Sequence, residues 1–162
     1  IFKFSNTSRQ TMEIAGFLME KGIDFPKIID DSFFAKTYGQ AKLHGRAVLD
    51  SVRILDNRCV YTVVTTDELK EYGCTVKATD GIVDQLRIIE GIEIAFLLYQ
   101  TGNPGEYKVS LRTNSAVDVS RIAQSFGGGG HVKAAGCTMT GEPQEIVEKI
   151  SGKIREQWEE LK

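Results

Sequence analysis

Histidine is nearly missing from this chain: His44 and His131 are the only two. Two-metal hydrolytic centres draw on several carboxylates and usually imidazoles, and neither histidine stands beside an Asp-x-Asp run or a histidine-rich stretch, so no metal is expected within this chain. Cysteine is equally uninformative as a scaffold. Cys59, Cys74 and Cys137 are odd in number, far apart and in no CxxC pair, which argues against a disulfide framework or a structural zinc and leaves buried or neutral thiols. No glycine-flanked nucleophile of the G-x-S-x-G kind occurs, and Cys137 has no evident activating partner. Long apolar runs are absent too. Nothing approaches a membrane span, and the opening "IFKFSNTSRQ" lacks the basic-then-apolar layout of a signal peptide, so the expectation is a soluble cytoplasmic chain with no membrane partner. An excess of positive charge is also missing. With a net charge of −2, attraction of nucleic acid by the whole surface is disfavoured, and any anionic ligand must meet a local basic patch. Finally, the chain opens on Ile1 rather than Met, which reads as a piece of something longer.

What is present suits one ordinary core: 162 residues, 41% hydrophobic and 26% charged. "SNTSRQTMEIAGFLMEKG" reads as a packing helix, with Ser5, Asn6 or Thr7 as its cap, Met12, Ala15, Leu18 and Met19 at helical spacing, and Gly22 as its end. Pro26 suits a first helical turn, and the pattern continues helical through Ile29, Phe33 and Phe34 to Leu43, Ala47, Val48 and Val52. His44 falls on this helix as a surface residue, and Phe33 and Phe34 read as core or interdomain packing. From Cys59 the character changes. "CVYTVVTT" is β-branched and aromatic without helical period, a strand. Thr65 and Glu68 form a capping-box signature, and Asp80 is placed to cap "GIVDQLRIIEG". "IEIAFLLYQ" and "EYKVSLRTN" flank "TGNPG" as an antiparallel hairpin, and "VDVSRIAQSF" is a short helix running into glycines. "GCTMTG" reads as a last strand. Pro143 then opens a helix striped with Val147, Ile150, Ile154, Trp158 and Leu161. The fold class expected is α/β: N-terminal connecting helices over residues 1–55, then a mixed-sheet domain over residues 56–162.

The segment "SFGGGGHVKAAGCTM" carries the first candidate site. Each of Gly127, Gly128, Gly129 and Gly130 loses more backbone freedom on folding than another residue would, so the run needs a use for bare backbone. Successive glycine amides in a concave nest bind phosphate or carboxylate oxygens; His131 at the exit can donate to such an oxygen, and Lys133 adds a fixed charge. A flexible linker is the plainer alternative, disfavoured by the compact "AAG" that follows. The second candidate is the strand. Alternation sets Tyr107, Val109 and Leu111 on one face and Lys108, Ser110 and Arg112 on the other, where Arg112 can grip phosphate with two parallel hydrogen bonds and Ser110 can add another donor. Taken alone, that second face reads as the solvated outside of a sheet.

The stretch "VSLRTNSAVDVSRIAQSFGGGGHVKAAG" resembles the DHH-associated C-terminal domain of the DHH phosphoesterase superfamily, and within it the nanoRNase and pAp phosphatase branch. "FKFSNTS" resembles the point where that family's N-terminal catalytic domain gives way to connecting helices. The resemblance implies a division of labour. The manganese ions and the Asp-His-His motif belong to an N-terminal DHH domain absent from this chain, which by itself would be inactive, while the C-terminal domain holds a short oligonucleotide or a phosphorylated nucleotide such as pAp. It further implies that Arg112 and the glycines bind phosphate or backbone, that His131 approaches the scissile end, and that Ser110 assists. The family's usual Ser after the strand arginine is Thr113 here. Two other readings stay open: a non-catalytic RNA-binding module, like the similar domain of alanyl-tRNA synthetases, and a dimerisation domain. Oligomeric state, including a homodimer, is not read from the sequence.

Overall fold

The computed structural model describes residue 2 and residues 6–161. Ser5, one of the three expected caps, and Lys3 and Phe4 of "FKFSNTS" lie outside the described residues. The chain falls into two compact units that divide between Thr37 and Tyr38.

In the first unit, α1 (Arg9–Glu20) is capped by Ser8 rather than by Asn6 or Thr7. The Ser8 hydroxyl accepts from the Thr11 amide at 3.3 Å, and the Thr11 hydroxyl accepts from the Ser8 amide at 3.2 Å, so threonine fills the place that Glu or Gln usually takes in a capping box. No residue of α1 is buried. α2 (Phe25–Ile29) starts at Asp24, whose carboxylate accepts from the Lys27 amide, and carries Pro26 in its first turn. It widens into a single π turn over Asp30–Phe34 that closes on Ala35 in extended conformation, so the long helix expected from Pro26 onward is broken here. Phe33 and Phe34 are exposed, not core residues.

The second unit opens with α3 (Tyr38–Leu49), which turns Leu43, His44 and Ala47 inward. His44 is buried, against the expectation of a surface position. Its Nε2 lies 2.9 Å from the Ala78 carbonyl and its Nδ1 3.1 Å from Gln85 Oε1, so it ties α3 to the segment ahead. Next comes an unforeseen strand, β1 (Val52–Ile54), where the helical pattern had been carried through Val52. β1 pairs antiparallel with β2 (Cys59–Val64) across a turn in which Leu55, Asp56 and Asn57 all take positive φ. α4 (Thr66–Glu71) has the expected Thr65–Glu68 capping box. A 3₁₀ turn over Val76–Thr79 leads to α5 (Ile82–Arg87), which begins from Gly81 at φ 89° with no side-chain cap, so Asp80 is not its cap. β3 (Ile94–Gln100) and β4 (Glu106–Thr113) form the expected hairpin. α6 (Val119–Gln124) is capped by Asp118, and the Ser120 and Arg121 bonds to its carboxylate hold that carboxyl below its ordinary pKa. β5 (Gly129–His131), β6 (Ala134–Thr140) and α7 (Pro143–Glu160) complete the chain.

The six strands form one mixed sheet in the order β1-β2-β3-β4-β6-β5, parallel only between β2 and β3. That parallel pair requires a crossover, which α4, the 3₁₀ turn and α5 supply. One face of the sheet is buried along most of its width: Ile94, Phe96, Leu98, Val109, Leu111 and Cys137 pack with Ile122 of α6 and Ile146, Ile150 and Ile154 of α7. Burial pushes the thiols on this face up, Cys59 to about 12 and Cys137 to about 11, which leaves both neutral and unreactive near pH 7. The other face is divided. Val60, Val64, Ala95 and Leu97 pack under Leu43, Leu69, Ile82 and Leu86 from α3, α4 and α5, but this cluster ends at β3.

Candidate functional site

Beyond β3 the second sheet face belongs to β4, β6 and β5. Register places its residues in rows: Arg112 beside Ala134 beside His131, then Ser110 beside Gly136 beside Gly129, then Lys108 beside Thr138. Neighbours within a row are about 5 Å apart at Cβ, and successive rows about 7 Å apart along the strand. The floor is made of small residues, Ala134, Gly136, Gly129 and Ser110, all partly exposed, with Lys108 and His131 exposed around it. A groove of about 380 Å³ opens over the Ser110 and Gly136 part of this floor, lined also by Tyr99, Lys108, Gly127, Gly128 and Thr138. The strand and the glycine loop therefore converge. Ser110, Gly127 and Gly128 line the groove, whereas Arg112, Gly129, Gly130, His131 and Lys133 are not among its lining residues.

The glycine run is not one nest; its four members sit in different surroundings. Gly127, at φ 75°, is the left-handed residue after α6; its amide donates to the Gln124 carbonyl at 3.0 Å and the Gly128 amide to the Ala123 carbonyl at 2.8 Å. Those two bonds make a Schellman motif, so both amides are already occupied in ending the helix. At Gly128 a Cβ would sit 2.2 Å from the Gly136 carbonyl oxygen and 2.5 Å from Cys137 Cβ, and at Gly130, at φ 145°, it would sit 2.6 Å from the Ala134 oxygen. Both are glycine because backbone passes against them. Gly129 differs: among the described residues nothing lies within 4 Å of its would-be Cβ, and its φ is not in the left-handed range. Nothing in the described structure requires glycine at this position, and it faces the open floor in the row of Ser110 and Gly136.

The charged residues are held unequally. Lys133 occupies the β5–β6 turn, where its ammonium donates to the Ser115 carbonyl and its own carbonyl accepts from the Thr113 amide at 3.2 Å. Its charge is thus used in pinning the turn. His131 stands exposed at the end of β5. Arg112, half-buried, donates from Nη1 to the Leu111 carbonyl at 3.0 Å, and its Nε lies 3.5 Å from Asp84 Oδ1 on α5. Sequence reasoning missed Asp84 and Tyr99 because both come from segments that touch this face only through the fold. Thr113 is structural: it is buried, and its hydroxyl contacts the Glu93 carbonyl and Ser115.

The manganese that the resemblance implies does not fit this floor. The side chains on and around it are guanidinium, ammonium, imidazole and hydroxyl, with the Asp84 carboxylate paired to Arg112, a set that attracts anions rather than a divalent cation, and among the described residues no three His, Cys, Asp or Glu side chains converge as metal ligands. The sequence contains no Asp-His-His run. Among the described residues, no helix is long and apolar enough to cross a membrane.

Comparisons with known proteins agree with this architecture. Over 157 residues the chain is 28% identical to the bifunctional oligoribonuclease and PAP phosphatase NrnA of Thermus thermophilus, covering 96% of this chain and 46% of that protein. A 43-residue segment, 26% of this chain and 11% of the other, is 54% identical to oligoribonuclease NrnB of Bacillus subtilis. The crystal structure of an exopolyphosphatase-related protein from Bacteroides fragilis superposes with a TM-score of 0.87 at 22% identity, covering 96% of this chain and 45% of that one, a likeness of fold. The chain thus spans less than half the length of these relatives. A family model for the DHHA1 domain matches residues 56–159, the region from the β1–β2 turn through nearly all of α7, and the chain belongs to that family.

Proposed function

We propose that this chain is the substrate-holding part of a manganese-dependent phosphoesterase acting on short oligonucleotides or pAp-like nucleotides. The observation that carries the reading is Gly129, a glycine for which the described fold gives no internal reason, set in a floor of small residues on a sheet face without its own apolar cover. A floor without side chains lets a ligand approach the backbone closely, and a cationic rim supplies the charge that the chain as a whole lacks. In this reading Arg112 and Lys108 pair with phosphate oxygens, Ser110 donates a hydrogen bond, and Gly127 and Gly128 shape the groove wall. His131, in the same row as Arg112, approaches the end of the substrate where the bond breaks. The N-terminal DHH domain of the same protein would supply manganese and the activated water. Support comes from the relative in Thermus thermophilus, whose description names both an oligoribonuclease and a PAP phosphatase activity.

The test is turnover and binding in the full-length protein, with a 5′-phosphorylated dinucleotide and with pAp. Arg112→Ala and Gly129→Val should each weaken binding at least tenfold while the protein stays folded. Unchanged binding in both would sink the reading. RNA binding lost in the same variants, with no manganese-dependent hydrolysis by the wild type, would replace it with the non-catalytic RNA-binding module.

A further inference from the structure

Arg112 is not a free cation in this structure. Its Nε lies 3.5 Å from Asp84 Oδ1, and the same oxygen accepts from Arg87 Nε at 3.3 Å, so one carboxylate stands between two guanidinium groups. The other end of this chain of contacts is fixed. Arg87 Nη1 donates to Asn114 Oδ1 at 2.8 Å, while Asn114 Nδ2 donates to the carbonyls of Arg87 and Ile92 at 2.8 and 3.2 Å. Arg87 is thereby locked by three polar contacts across α5 and the end of β4. Arg112 has a single long contact to the carboxylate and one bond to the main chain. Asp84 is partly exposed, at 46% of its side-chain surface, so its pairing with Arg112 is weak and exchangeable.

Resting on the reading of the open face as a phosphate-binding surface, we infer that Asp84 is a built-in counter-ion that Arg112 exchanges for substrate phosphate. Before the ligand arrives, Asp84 partly neutralises the rim and keeps the arginine from drifting into solvent. When a phosphate arrives, it takes the guanidinium from the carboxylate, and Asp84 remains paired with the locked Arg87. The exchange lowers affinity by a fixed amount for every phosphate ligand, which favours release of product. Asp84 is an affinity-setting residue that acts through Arg112, not a group that touches the reacting atoms.

The experiment is calorimetric titration of the full-length protein with adenosine 5′-monophosphate at low salt, in a double-mutant cycle of Asp84→Asn and Arg112→Ala. Asp84→Asn alone should tighten binding by about three- to tenfold, the combined effect of releasing a weak ion pair and removing a negative charge near the ligand. In the Arg112→Ala background the gain should shrink by at least half, because the released partner is gone. The gain should also fall as salt rises. Asp84→Ser provides the same loss of charge if the asparagine variant folds poorly. Unchanged or weaker binding in Asp84→Asn overturns the exchange while leaving the phosphate surface standing, and an equal gain in both backgrounds overturns it as well, since that reports distant charge alone. Wild-type affinity in a folded Arg112→Ala protein removes the phosphate surface itself, and the exchange with it.

Discussion

Two halves of one sheet face teach most about this molecule. On β2 and β3 the residues pointing to that face include Val60, Val64, Ala95 and Leu97, and helices α3, α4 and α5 bury them. On β4 and β6 the residues at the same heights are Lys108, Ser110, Arg112, Ala134, Gly136 and Thr138, none of them part of that cluster. Register makes the contrast direct: Leu97 pairs with Ser110, and Ala95 with Arg112. A strand boundary therefore separates packed apolar residues from small and polar residues that the described helices leave uncovered. An antiparallel sheet tolerates one wet face, which is why the change can occur between adjacent strands without loss of the ladder.

The strongest way to break this comparison is at Gly128, which looks like part of the open site and is needed by the fold. Gly128→Val would drive a side chain into the Gly136 carbonyl and Cys137, all backbone or strand-held atoms, and should cost about 3 kcal/mol or more. Thermal unfolding would show it, and a melting temperature near that of the wild type would mean that β5 can move away from β6. On the covered half, Leu97→Ala should destabilise by about 2–5 kcal/mol through an unfilled cavity, measured by denaturant titration, with ligand affinity per folded molecule unchanged. On the open half the signs reverse. Arg112→Ala should leave stability within about 1 kcal/mol, because its ion pair is weak, but should weaken ligand binding by about 1.5–3 kcal/mol, with Arg112→Lys recovering only part. Gly129→Ala should be neutral or stabilising by about 0.4–1 kcal/mol, since its backbone is compatible with a side chain, and should still impair binding. A destabilised Gly129→Ala would show that the fold does need glycine there. The smallest effect is expected at Lys108: replacement by Ala should lower the slope of log affinity against log salt by about 0.7 for a single-stranded ligand and leave stability alone.

Much of the open half was legible in advance. Strict alternation in "EYKVSLRT" placed Tyr107, Val109 and Leu111 on one face, which the structure buries, and Lys108, Ser110 and Arg112 on the other, because side chains of a strand alternate whatever surrounds it. The four glycines were legible as a place needing bare backbone, but not as a helix end at Gly127, close backbone at Gly128 and Gly130, and no internal need at Gly129. Amide direction, Schellman bonding and the approach of β6 depend on partners that are distant or only become neighbours once the strand pairs. For the same reason β5 was missed: three residues of glycine and histidine have no strand propensity of their own, and pairing with Ala134 to Gly136 makes them a strand. β1 was missed because Val52 and Ile54 also fit the preceding helical spacing, and only the pairing with β2 decides against it.

Local chemistry determined the capping box at Thr65, the hairpin around "TGNPG", the start of α7 at Pro143 and the two-faced β4, each depending on residues a few positions apart. The tertiary structure alone decided that His44 is buried between Ala78 and Gln85, that the second face of the sheet is covered only as far as β3, and that Asp84 reaches Arg112. These outcomes depend on where a helix comes to rest against a sheet. That is set by the summed burial of side chains from separated segments, a quantity that no short stretch of sequence contains.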